Sequence, residues 1–196
     1  MCLLWCIPAG AQVLLDRVAA RVNGAAITLT DVRTALALGI VEVPAGPDRD
    51  AVATDQLINR QLVLAEVARF APPEPAADVI ARESDALAAR AGAGLTALMA
   101  STGIDQAGIR DIARDNLRIR AYLDQRFGAT VQVTEDEVTQ YYRIHPDEFT
   151  RNGTLAPFTE VQSLVRDRAG AERRATIVAQ WMRDLRARAD VSVPGR

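Results

Sequence analysis

Apolar and polar positions alternate first at residues 18–22, where Val18, Ala20 and Val22 flank Ala19 and Arg21. That two-residue period predicts a half-buried strand. Asn23-Gly24 follows, the dipeptide favoured in two-residue hairpins because both turn residues need positive φ. Residues 25–28 then form the return strand, and Thr30 caps a helix over 31–38 that stops at Gly39. A lone hairpin is marginal in water, so this one needs completing from elsewhere in the chain.

The period then lengthens to that of a helix. Residues 40–48 hold Pro44, Gly46 and Pro47 and read as a loop. Leu57, Ile58, Leu62, Leu64, Ala65 and Ala68 form an apolar band on a helix over 49–70, with Arg60, Glu66 and Arg69 off it. A helix over 76–90 carries Val79, Ile80 and Leu87. A short helix over 95–100 lies between glycine-containing breaks. Asp105 caps a long helix to Phe127, whose stripe is Ile109, Ile112, Ile119, Leu123 and Phe127. Its arginines and aspartates, Asp115 among them, read as a solvated face. Thr134 and Glu137 spell a capping box for a helix to Ile144. After a turn-rich stretch containing Asn152-Gly153, a short helix is predicted over 158–165, capped by Thr159. A last helix is predicted over 171–189, then an alternating strand at 191–193.

Composition narrows the chemistry. Aromatic residues are 5% of the chain against 49% hydrophobic overall, so the core is built from Ala, Leu and Val. A net charge of −2 makes no general polyanion binder, and no nucleic-acid motif accompanies the arginines. Both cysteines, Cys2 and Cys6, fall in the first few residues, and there is a single histidine, His145. These counts leave no cysteine nucleophile in the body of the chain, no multi-histidine metal site and no paired-histidine chemistry. No cofactor is expected.

Residues 1–11 are apolar up to Pro8 and end in Ala9-Gly10-Ala11, a small-x-small pattern that reads as the remnant of a secretory signal. The basic stretch that opens such a signal is missing, which fits a start upstream of Met1 or a shortened signal. The plainer reading is an apolar tail packed on the domain. No later stretch approaches the ~20 apolar residues of a membrane span. Export, to a periplasm for instance, is the expectation.

The order of the motifs carries a resemblance. Val-Asn-Gly lies in a hairpin, followed by Thr-Asp at a helix start and Leu-Ile-x-x-x-Leu-Val-Leu over 57–64. Next come Val133-Thr134-Glu135-Asp136-Glu137-Val138 and Trp-Met-x-x-Leu-Arg over 181–186. From about Asp16 to Val193 this resembles the core of the SurA-type periplasmic chaperones, the non-catalytic parts that flank parvulin prolyl-isomerase modules. The resemblance implies a mainly α fold: a multi-helix chaperone core with a small antiparallel sheet. The N-terminal hairpin and the C-terminal strand, residues 190–193, would make that sheet. The core would divide into an N-terminal part (12–148), a bridge (149–157) and a C-terminal helix and strand (158–196). In the family, parvulin modules follow the helix that here ends near His145. This chain has only the bridge and lacks the paired histidines and the Gly-Gly-x-Leu-Gly stretch. What carries over is polypeptide binding rather than isomerisation.

The expected function is therefore ATP-independent binding of unfolded polypeptides, outer-membrane protein precursors among them. The alternative is an isomerase-related structural or docking subunit, or a homodimer that exchanges its C-terminal helix. Two groups are candidates for contacting clients. Leu95, Leu98 and Met99 would form a mobile apolar wall, since Met adapts to varied partners. Tyr141, Tyr142 and Phe149 would form an aromatic lip. Core packing is the plainer reading of both. The arginines of the last helix (Arg173, Arg174, Arg183, Arg186 and Arg188) read as a solvated face, with acidic clients or lipid headgroups as the functional reading. His145 reads as a helix-end residue favoured by the helix dipole.

Overall fold

A computed structural model describes residues 16–128 and 132–194. The segment read as a signal remnant, with Cys2 and Cys6, lies outside the described residues.

The hairpin forms as its sequence dictates. Strands β1 (Val18–Val22) and β2 (Ala25–Thr28) pair antiparallel, with Val22 opposite Ala25 and Arg21 opposite Ala26. Asn23 and Gly24 both take positive φ, 50° and 85°. A register shift between Val18 and Ala20 adds a bulge to β1. Ala20, Val22 and Ile27 face inward and are buried. The strand that completes the hairpin comes from the far end of the chain. β5 (Val191–Ser192) pairs antiparallel with β1, giving the order β2-β1-β5. Asn23 N donates to Asp190 O at 2.7 Å, and Asp190 N donates back to the Asn23 side chain at 3.0 Å.

Helix α1 (Leu29–Ala37) begins two residues earlier than expected. Thr28, not Thr30, is the cap. Its hydroxyl accepts from Asp31 N at 3.2 Å, and the Asp31 carboxylate accepts from Thr28 N at 2.8 Å. Thr-x-x-Asp makes a reciprocal box that satisfies two orphan donors, and Thr30 has no such partner. Gly39 takes φ +61°, and a Cβ there would stand 3.0 Å from the Arg90 side chain. Arg90 uses that close approach to donate to Gly39 O at 2.9 Å. Helices α2 (Arg49–Phe70), α3 (Ala77–Ala91), α4 (Leu95–Thr102) and α5 (Gln106–Phe127) follow. Asp105 caps α5 by accepting from Gly108 N. The Thr134–Glu137 box caps α6 (Glu135–Ile144).

Two expectations are corrected in the C-terminal third. The bridge is not irregular: β3 (Thr150–Arg151) and β4 (Thr154–Leu155) form a two-stranded ribbon around Asn152-Gly153. The two helices expected over 158–165 and 171–189 are one, α7 (Phe158–Arg188), 31 residues and roughly 46 Å long at the usual rise. Gly170 costs helix stability, about 1 kcal/mol relative to Ala. Val161, Val165 and Ala169 are buried at four-residue steps up to it, and the apolar stripe resumes beyond it at Ile177 and Trp181. Ion pairs flank the glycine, Arg166 with Glu135 and Arg173 with Glu137. Tertiary contact on both sides outweighs one weak position.

The core lies in three clusters. The first joins the sheet and α2 to Tyr122 and Phe127 of α5 and Trp181 and Leu185 of α7. The second joins Leu38 to α3, α4 and the first half of α5. The third joins α6, Phe149 and the first half of α7. Helix α7 thus belongs to two clusters and ties the ends of the chain together. Arg186 reinforces this with a two-pronged contact to the Asp55 carboxylate on α2, at 2.6 and 2.9 Å. Arg174 pairs with Asp124 on α5. These three arginines of α7, Arg173, Arg174 and Arg186, are therefore interhelical ties rather than a purely solvated face.

Candidate polypeptide-binding cleft

The two groups singled out from sequence fall in different clusters. Leu98 is buried against Leu38, Ile80, Leu87 and Ile109, with Leu95 half-buried beside it. Met99 is half-buried on the same helix. Tyr141 is buried and stacks on His145 at 4.2 Å, its hydroxyl donating to Glu148 at 3.0 Å. Tyr142 donates to Ala156 O at 2.7 Å and contacts Phe149 and Phe158 ring to ring. Phe149 is only 2% exposed. These rings hold α6, the ribbon and α7 together, so they stand as packing, not as an exposed lip. Their reason is geometric: each ring has an aromatic neighbour within 6.2 Å, and each tyrosine hydroxyl is already bonded. Tyr141 does reach the floor of a shallow depression of about 520 Å³ beside Ile144 and Ile177. Ile144, 60% exposed, is its most accessible apolar side chain.

A second cleft is lined by residues of the first and second core clusters. Its volume is about 510 Å³, within the range of ligand sites. Ile27 from β2, Leu57 and Leu64 from α2, and Ile104 and Ile112 around the start of α5 supply apolar wall. Thr102, the last residue of α4, and Gly103 and Ile104, which follow it, also line it. The α4 group is therefore next to the cleft, and the chain just beyond it does the lining.

Arg60, placed off the apolar band by periodicity, and Asp115, read as part of a solvated face, line this cleft together with Gln61. Burial pushes the Arg60 guanidinium below its usual value, with Asp115 opposing that shift. Burial likewise pushes the Asp115 carboxyl above its usual value, with Arg60 and Arg118 opposing. Among the described residues, neither side chain makes a hydrogen bond or a direct ion pair. A half-buried guanidinium and carboxylate are costly unless something satisfies them. The sequence signal available was an Arg and an Asp close in helical phase to the apolar bands, Arg60 between Ile58 and Leu62, and Asp115 three residues past Ile112.

Charge and metal chemistry find no further focus. No group of three or more His, Cys, Asp or Glu among the described residues is placed to hold a metal ion. No helix among them is long and apolar enough to cross a membrane. A scan against protein-family models finds no match, and no curated protein matches the chain. The two depressions described above are open, and their walls mix aliphatic with polar side chains. Phe70, 56% exposed, adds an accessible ring at the end of the row Phe70, Tyr122, Trp181 and Phe127.

Proposed function

We propose that the protein is an exported, ATP-independent chaperone that holds unfolded polypeptides and does not isomerise prolyl bonds. One observation carries the reading. The two ends of the chain meet in the sheet β2-β1-β5, an arrangement that the resemblance to SurA-type cores implies and that local sequence pattern does not. The cleft beside that sheet supports it, being open, walled by aliphatic and polar side chains together, and lined by Arg60 and Asp115, which have no bonded partner among the described residues. Binding of this kind is weak and tolerant of sequence, because a disordered client loses entropy on being ordered. The short ribbon between α6 and α7, where the family carries its parvulin modules, supports a binding role over an isomerase one.

The test is light scattering from a polypeptide diluted out of denaturant. Added at equimolar amounts without nucleotide, the protein suppresses aggregation, and it leaves the cis/trans rate of a proline-containing peptide unchanged. Undiminished aggregation at a several-fold excess of protein sinks the proposal. A second reading, a docking subunit or a dimer that exchanges α7, draws on the length of that helix and its membership of two core clusters. A solution mass twice that of the chain, unaffected by added client, favours it.

A further inference from the structure

Two features of the cleft have no hydrogen-bonded partner among the described residues. The first is the outer edge of β2, which pairs with no other strand among the described residues. In a hairpin closed by a two-residue turn, the pair flanking the turn exchanges hydrogen bonds and the next pair does not. Val22 and Ala25 are the flanking pair, so Arg21 and Ala26 turn their backbone groups outward. On the Arg21 side β5 is in place, with Ser192 opposite. On the Ala26 side lies the cleft, which Ala26 lines. Further along, Thr28 N is already taken by Asp31, so strand addition is confined to the Ala26 position.

The second feature is the couple Arg60 and Asp115. They face one cleft from α2 and α5, influence each other through space, and hold no bonded partner among the described residues. A donor and an acceptor held apart in this way complement a peptide unit: the guanidinium suits a carbonyl and the carboxylate an N–H. The couple has no net charge, so it favours main chain over a charged side chain.

We propose that this cleft binds an uncharged, apolar segment of extended polypeptide by strand addition at Ala26, with main-chain groups of the segment satisfied by Arg60 and Asp115. Aliphatic side chains of the segment fill the space between Ile27, Leu57, Leu64 and Ile112. Main-chain recognition with alternating side-chain pockets is the established physics of strand addition. It makes the site tolerant of sequence. The inference rests on the chaperone reading for its occupant and adds the place and mode of binding.

The full chain is titrated into a fluorescent, end-capped peptide of alternating Val and Thr, followed by anisotropy. Three changes carry the test. Methylating alternate backbone nitrogens of the peptide weakens binding about tenfold or more, because each lost main-chain bond leaves a buried group unpaired. Ala26→Pro does the same from the protein side, since that N–H points away from β1 and its loss leaves the sheet paired. Arg60→Met weakens binding several-fold, while its thermal midpoint stays equal or rises. Peptides with Glu or Lys in place of Thr bind no tighter than the parent.

Equal affinity for the methylated peptide, or for Arg60→Met, overturns the proposal. So does a Glu peptide that binds about tenfold tighter than the neutral one, which would make Arg60 an anion receptor. Self-association of the chain that Ala26→Pro abolishes, with no peptide binding, assigns the edge to a second copy and also overturns it. Suppressed aggregation that survives these changes leaves the chaperone reading standing with its site elsewhere. Lost suppression with retained peptide binding would do the reverse.

Discussion

Replacing Trp181 by Ala tests whether the C-terminal half of α7 is part of the core that holds the hairpin. The indole is 8% exposed and touches Phe127 at 5.2 Å and Tyr122 at 6.0 Å between ring centres. The Arg126 guanidinium sits 5.4 Å from its ring. Truncating a buried Trp costs about 3–5 kcal/mol, from lost burial and from the cavity left behind. The ring pairs are worth ~0.5–1.5 kcal/mol each, but they are largely contained in that figure because contacting residues do not add. A domain has about 5–15 kcal/mol in total, so the loss is a large fraction of it. For a chain of this length it corresponds to a fall in Tm of roughly 6–20 °C. Urea denaturation followed by far-UV circular dichroism measures it directly. Hydrogen exchange adds the location: the Asn23 and Asp190 amides, whose bonds join the ends of the chain, should lose protection together. A destabilisation below about 1 kcal/mol would refute the packing of α7 against α5 described above, since surface substitutions fall in that range.

Further outcomes follow from individual residues. Thr134→Ala removes the cap of α6 and costs about 1 kcal/mol, read as faster amide exchange in that helix. Gly24→Ala places a Cβ at φ +85° and costs about 1–2 kcal/mol in urea melts, although nothing stands within 4 Å to clash. Asp115→Asn stabilises the protein at pH 7. Burial raises the folded carboxyl above its unfolded value, so ionisation is disfavoured in the fold; the penalty is absent below the unfolded value and grows as pH rises through the folded one. The two proteins therefore converge in stability at acid pH, and a gap that widened there would contradict the burial argument.

Local structure was legible wherever a short-range rule applied. The Asn23-Gly24 turn, the Thr134–Glu137 box, the Asp105 cap and the bounds of α2 all answer to contacts within a few residues. The same rule misplaced the start of α1, because Thr28 and Thr30 both precede the helix and only Thr28 has an acid three residues on. At Asn152-Gly153 the turn was readable and the ribbon was not, since its flanking residues are exposed on both strands and leave no alternation. Residues 158–165 and 171–189 read as two helices because intrinsic propensity knows nothing of Glu135 and Glu137 across the interface, which pair with Arg166 and Arg173 on either side of Gly170. The pairing of β5 with β1 spans nearly the whole chain, and only the resemblance to SurA-type cores anticipated it. The cleft was invisible for a related reason. Helical phase places Arg60 and Asp115 near an apolar band, but which helix covers that band is decided by tertiary packing.

The central claim is preference for unfolded chains, and its most direct measurement is the affinity for one polypeptide in two states. Without nucleotide, a reduced and alkylated, permanently unfolded polypeptide should bind with a Kd of roughly micromolar order, about −8 kcal/mol. Its native, disulfide-bonded form should not bind. Equal affinity for both forms, or no binding of the unfolded form at tens of micromolar, would contradict the account.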